Sequence, residues 1–264
     1  MSNIISLLIQ SRSWIALAAA SLALETDLIL LGHFQSPFFY SGIFFMTLFA
    51  YNLYYVRNFA NRMATVFVGI SGMATTLILI LFPHLFRWNM MLAIAILSSL
   101  YIIPIAFSKK LSSYNFRLSP NLKVVLLILV WLISTTLLST THSFTNLPDF
   151  IFLAYRASLV SILCLAFYIK DELKPTNIHN ATNIIRFLLF VQVFAGIYLH
   201  IQGHNILGIE YILLTWALFL LIQYTLKHGK SENFYLIYID GFMILHAGIS
   251  CALYLLFKSS YPLC

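Results

Sequence analysis

The chain has 264 residues, 61% hydrophobic and 9% charged, with a formal net charge of +7. A water-soluble domain carries roughly a quarter of its residues as charges, so a soluble enzyme is excluded and a polytopic membrane protein is indicated. The basic surplus is that of loops at one membrane face rather than of a nucleic-acid surface. Polar residues are too dispersed for a separate soluble domain, so 1–264 reads as a single membrane domain.

A helix needs about twenty apolar residues to cross a bilayer. Nine such runs follow one another: 14–31, 37–56, 63–82, 88–107, 122–141, 150–169, 182–201, 209–226 and 234–257. Their length and lack of sustained alternation predict an all-α bundle of nine helices, not a barrel. The first run opens with WIALAAASLAL, long enough for the core of a signal peptide. It continues to Leu31 and more spans follow, which favours a membrane helix. Glu25 and Asp27 stand inside it, where charge faces a partner or a cavity. Two readings stay open there: a cation or proton site within the bundle, or carboxyls at the span's outer end or held neutral by hydrogen bonds.

The second run ends in YNLYYVRNFANR at 51–62, with two arginines and three asparagines. The sixth ends in FYIKDELKP at 167–175. Breakers punctuate the short connections: Gly32 with Pro37, Pro120, Pro148, Pro175, Gly203 with Gly208, and Gly229. His200 and His204 have metal-ligand spacing, but Gly203 interrupts the helix and only Glu210 could add an acid, so they read as interfacial. The ninth run carries Asp240 beside Gly241, with His246 further along. Cys164, Cys251 and Cys264 have neither metal nor redox spacing.

Twelve of the fifteen Lys and Arg fall at the N-terminus and after the even-numbered spans. Arg87, Arg156 and Lys258 fall on the other side. By the positive-inside rule this predicts a multi-pass protein with its N-terminus in the cytoplasm and its C-terminus outside. Both polar stretches then face the cytoplasm.

Two polar stretches after helices two and six of nine resemble the layout of the UbiA superfamily of intramembrane prenyltransferases. That family carries an Asp-rich motif in each of these loops. Against the first, approximately N-D-x-x-D-R-x-x-D, the chain reads Asn52-Leu53-Tyr54-Tyr55-Val56-Arg57-Asn58-Phe59-Ala60: the Asn and Arg match, and the three acids are Leu53, Val56 and Ala60. Against the second, roughly F-D-I-R-D-x-x-x-D, Asp171 matches, Lys170 replaces the Arg, and Tyr168 and Pro175 replace two acids. LYIIPIAFSKK at 100–110, RLSPNLKVVLLILVW at 117–131 and YLIYIDGFMILHA at 235–247 resemble the family more loosely.

The resemblance implies a UbiA-like bundle acting on an isoprenoid diphosphate and a lipid-soluble acceptor. It also implies Mg²⁺ held by carboxylates, as hard oxygen ligands hold it. Here Asp171 would be the catalytic acid and the sole metal ligand from the motifs. Glu172 beside it points elsewhere on the helix, so ordinary Mg²⁺–diphosphate chemistry is doubtful. Asn52, Arg57, Asn61, Lys170, Lys109, Lys123 and Asp240 are the candidate substrate-binding residues, since arginine grips phosphate without a metal. Tyr51, Tyr54, Tyr55, Tyr168 and Trp131 stand where an aromatic wall would shelter the chain. The alternative is a non-catalytic relative that binds a polyprenyl or quinone-like lipid. A third reading is a transporter-like bundle using Glu25, Asp27 and Asp240 as proton-linked carboxylates.

Overall fold

The computed structural model describes residue 8 and residues 11–59, 62–107, 120–138, 146–172, 175–228 and 234–257. Among the described residues there are nine α-helices and no strand. They are α1 (Ser13–Leu31), α2 (Pro37–Phe59), α3 (Arg62–Leu81), α4 (Trp88–Phe107), α5 (Pro120–Leu132), α6 (Leu147–Glu172), α7 (Pro175–Ile201), α8 (Asn205–His228) and α9 (Asp240–Leu256). A π-helical turn, Ile133–Leu137, continues α5, and another, Tyr235–Ile239, leads into α9.

Helix boundaries follow local chemistry. Pro37, Pro120 and Pro175 each occupy a first helical position, where the missing N–H costs nothing and the fixed φ suits the helix. α7 ends in a Schellman turn. Gly203 adopts φ +94°, its N–H donates to the carbonyl of His200 (3.2 Å), and the N–H of His204 donates to that of Leu199 (3.0 Å). Glycine tolerates this left-handed geometry without a Cβ clash.

Among the described residues six segments are long and apolar enough to cross a bilayer: α1, α3, most of α6, α7 and α8, and Tyr235–Leu256. Their surfaces are inverted relative to a soluble protein. α7 exposes Ile184, Phe187, Phe190, Phe194, Ile197 and Ile201, while Ile185, Leu189, Gln192, Ala195 and Leu199 are buried. Exposed apolar stripes of this extent require hydrocarbon outside. The chain is a multi-pass membrane protein.

The chain divides into two compact units, residues 1–20 with 35–139 and residues 21–34 with 140–264. In the first, α2 pairs with α3, and α4 packs on α2 and α5. Phe38 stacks on Phe82 (4.2 Å, 16°) where the hairpin opens. In the second, α6 packs on α7, α7 on α8, and α8 on α9. Leu28, Leu30, Phe152, Leu199, Leu207 and Tyr211 belong to its core. The α7–α8 hairpin closes main chain to main chain. A Cβ added at Gly208 would lie 2.6 Å from the Gly196 carbonyl oxygen and from the His200 nitrogen, so only glycine permits this approach.

Candidate functional site

Within the second unit the inward faces of α1, α6, α8 and α9 bring charged and aromatic side chains together. On α6, Phe152, Tyr155, Arg156, Leu159, Val160 and Leu163 are all buried, the i, i+3, i+4 stripe of a core-facing helix. Arg156 is thereby carried inward at 0% exposure, and so is Glu25 on α1. The guanidinium meets the carboxylate through two atoms: Nη2 lies 3.2 Å from Oε1 and Nη1 donates to Oε2 at 3.3 Å. Nη2 also donates to Thr26 Oγ1 at 3.4 Å, and that hydroxyl donates to the Leu22 carbonyl at 2.9 Å. The Phe152 ring, one turn back on α6, sits under the guanidinium at 5.3 Å, a cation–π contact strengthened by dehydration.

His246 of α9 completes the centre. Its Nδ1 is 3.1 Å from Glu25 Oε2 and its Nε2 is 2.8 Å from the Tyr155 hydroxyl. A carboxylate only accepts, so Nδ1 carries a proton and donates to Glu25. In the neutral imidazole this tautomer leaves Nε2 bare. Nε2 then accepts from the Tyr155 hydroxyl. A second proton on the ring reverses that bond, making Tyr155 the acceptor. The result is a carboxylate–imidazole–phenol relay whose imidazole tautomer is set by its carboxylate partner.

Aromatic packing walls off the relay. Tyr211 lies flat on Tyr155, with centroids 3.6 Å apart and planes at 9°, and Phe242 meets the imidazole edge-on at 6.2 Å. One turn along α9, the Ser250 hydroxyl reaches both the Glu210 carboxylate and the His246 carbonyl. Three buried atoms of the group, Tyr211 OH, Arg156 Nε and Glu25 Oε1, have no hydrogen-bond partner among the described residues, although Glu25 Oε1 keeps its ion-pair contact with Arg156. Buried donors without partners are uncommon, and a bridging water is the ordinary way to satisfy them.

The residues singled out from the sequence are distributed differently. Asn52 is fully buried in the first unit; its Nδ2 donates to the carbonyls of Ser11 and Leu48, both at 2.9 Å. Only its Oδ1 has no partner. Beside it, Trp131 Nε1 donates to Tyr51 OH at 3.1 Å. Both aromatics border an apolar cavity of ≈ 70 Å³, together with Ile43, Met46, Ser98 and Ser134. Tyr54 stacks on Tyr101 at 5.6 Å.

Lys123 is half-buried near the start of α5, and Asp240 is buried at the start of α9. Arg57 lies in the last turns of α2, and Lys170 and Asp171 in the last turn of α6, with their side chains, like that of Tyr55, outside the described residues. Tyr168 is half-buried one turn earlier. Asn61 and Lys109 fall wholly outside the described residues.

One sequence reading needs correcting. Arg156, counted with the outer loops, stands nine residues into α6 and pairs with Glu25 inside the unit. His200 and His204 do not share a helical face, because the Schellman turn at Gly203 separates them. Among the described residues no group of three His, Cys, Asp or Glu side chains could hold a metal ion. Asp171 and Glu172 are adjacent positions at the end of α6, about 100° apart around the helix, and their side chains lie outside the described residues.

His246 was noted in the sequence only for its place in the ninth span. The available signal was its company: Glu25, Arg156 and His246 are ionisable groups in separate apolar runs, and intramembrane charges seek one another. No protein-family model matches the chain, and no curated protein and no solved structure matches it.

Proposed function

We propose that the protein is a proton-linked membrane protein whose working centre is the Glu25–His246–Tyr155 relay, held in place by Arg156. The observation that carries this reading is the unbroken geometry from carboxylate to imidazole to phenol, at 3.1 and 2.8 Å, among fully buried side chains. Uptake of one proton at Nε2 converts the neutral imidazole to imidazolium and turns the Tyr155 hydroxyl from donor to acceptor. Release restores the first state. Glu25 faces the charge that develops, and Arg156 holds Glu25 in place through its two-atom contact.

Ser250 lies one turn beyond His246 on the same face of α9, and Asp240, also buried, stands six residues before His246 and about 120° around the helix from it. In this reading the N-terminus is cytoplasmic and the C-terminus outside, as the distribution of Lys and Arg predicts.

The test is proton movement in vesicles. Purified protein is reconstituted with a pH-sensitive dye in the lumen, and a potassium diffusion potential drives protons inward. The wild type should acidify the lumen faster than protein-free vesicles. Tyr155→Phe, which keeps the stack on Tyr211, should lower that rate at least tenfold. A wild type no faster than empty vesicles, or a Tyr155→Phe variant as fast as the wild type, overturns the reading.

A second reading has its own support in the first unit. Asn52 has an Oδ1 with no hydrogen-bond partner among the described residues, and its chain neighbour Tyr51 borders an apolar cavity together with Trp131. There the UbiA-like interpretation places an isoprenoid diphosphate, gripped by Arg57 and the neighbouring lysines rather than by a metal cluster, with transfer to a lipid-soluble acceptor. Diphosphate release from prenyl diphosphates that disappears in Asp171→Asn supports a prenyltransferase. Thermal stabilisation without release supports a polyprenyl or quinone-like lipid binder.

A further inference from the structure

We propose that a groove between α7 and α8 binds an anionic glycerophospholipid, with its phosphate on Arg186 and one acyl chain along Phe190, Val193 and Trp216. The groove has a volume of ≈ 350 Å³ and is bordered by these residues with Leu189, Thr215 and Phe219. That size is at the lower end of ordinary ligand sites, and its walls are apolar apart from Thr215, whose hydroxyl is taken up by the Tyr211 carbonyl (2.6 Å), and Arg186 at one end.

Its position makes that charge informative. α7 has 27 residues, about 40 Å of helix, against a hydrocarbon core of about 30 Å. Arg186 is fifteen residues, about 22 Å, from the Ile201 end, so it stands near the basic end of the span and not in the connecting loop. It is exposed, and so are Phe187 and Phe190 next to it on the helix surface. A guanidinium facing lipid at this depth calls for an anion.

Among the described residues it has none. Nη1 donates to Asn183 Oδ1 at 3.5 Å, and Asn183 Nδ2 contacts His179 Nε2 at 3.1 Å; no carboxylate pairs with Arg186 among the described residues. The remaining N–H groups form the planar fork that grips phosphate through two oxygens. His179, Asn183 and Arg186 therefore make a polar cap one helical face wide, and the same face continues as an apolar channel through Phe190 and Val193. Charge at one end and a hydrocarbon-lined trough beyond it match a phosphate-bearing head with a fatty chain. A zwitterionic lipid would bring a second cation to the same cap.

The experiment uses the full chain in nanodiscs of phosphatidylcholine alone or mixed with phosphatidylglycerol, followed by native mass spectrometry of the lipid retained on release. Wild-type protein should keep phosphatidylglycerol in preference to phosphatidylcholine. Arg186→Gln should cut that preference roughly tenfold, the worth of one charged hydrogen-bond pair, and Arg186→Lys should restore part of it. Val193→Trp, which fills the trough, should reduce retention of both lipids.

Arg87→Gln removes the same charge from the first unit, just ahead of α4, and should change nothing. Equal retention by wild type and Arg186→Gln overturns the proposal. An equal loss in Arg87→Gln does so too, because attraction would then be to overall charge. A second protein copy retained at the groove in place of lipid also overturns it. Unfolding temperatures of all variants are compared, and retention is scored for those within the wild-type range. Should Val193→Trp fall outside it, Val193→Phe takes its place.

Discussion

Glu25→Gln gives the most direct test of how the buried group is held together. The substitution keeps shape and removes the charge, leaving Arg156 at 0% exposure without a counter-ion. At 3.2 Å the pair's Coulomb attraction is about 5 kcal/mol for an effective dielectric of 20. Breaking one side of a buried pair typically costs about 3–5 kcal/mol, most of it the penalty on the charge left behind.

For a chain of this size, roughly 2–4 °C per kcal/mol translates this into a fall of about 6–20 °C in unfolding temperature. Tryptophan fluorescence during heating in a mild detergent reads it. The decisive comparison is the double variant Glu25→Gln/Arg156→Met, in which no uncompensated charge remains. It should recover much of the loss, giving a coupling of about 2 kcal/mol or more in the mutant cycle. Strict additivity of the two single costs, or a Glu25→Gln loss below about 1 kcal/mol, would refute the account of the pair given above.

Further expectations follow from the packing. Gly208→Ala forces a methyl group against the Gly196 carbonyl and the His200 nitrogen, so the α7–α8 hairpin should lose about 1–3 kcal/mol, read by the same melting assay. Asn52→Leu abandons the Ser11 and Leu48 carbonyls. Limited proteolysis should then cut the N-terminal segment faster, with a stability loss of about 1–3 kcal/mol.

Burial lowers the His204 pKa below the usual imidazole value of 6.5. The unfolded chain therefore takes up this proton first. Stability is whole above pH 6.5 and declines as pH falls through the lower folded value. The pH dependence of the melting temperature should flatten in that window for His204→Gln, and an unchanged slope would contradict the assignment.

Much of the architecture was legible from local pattern. The nine apolar runs correspond to nine helices among the described residues, and Pro37, Pro120 and Pro175 mark where three of them begin. The helices overrun the apolar limits, however. α2 continues to Phe59, α6 to Glu172, and α7 starts seven residues before the run at 182. Extending a formed helix adds one hydrogen bond per residue fixed, so polar residues join it until a proline or glycine stops it. Apolar length marks the bilayer and not the helix.

The candidate site was less legible because its pairings are non-local. Glu25 and Arg156 are 131 positions apart, and Glu25 and His246 are 221 apart. No spacing rule joins residues across that distance, whereas the Asp-rich motifs are short and drew the reading to 51–62 and 167–175. The weight given to Arg156 as a loop cation hid it as well. A single charge inside an apolar run is ambiguous until its partner is known, and the partner lay in another run.

The separation of Glu25 from Arg156 also has a consequence for biosynthesis. At roughly 5–20 residues per second, the ribosome delivers Arg156 about 7–26 s after Glu25. Throughout that interval the first helix bears two acids, Glu25 and Asp27, with its basic counterpart still unmade. Its final seating must wait for the sixth helix, so early truncations of the nascent chain should leave the first segment extractable by alkali, and extension beyond Arg156 should anchor it.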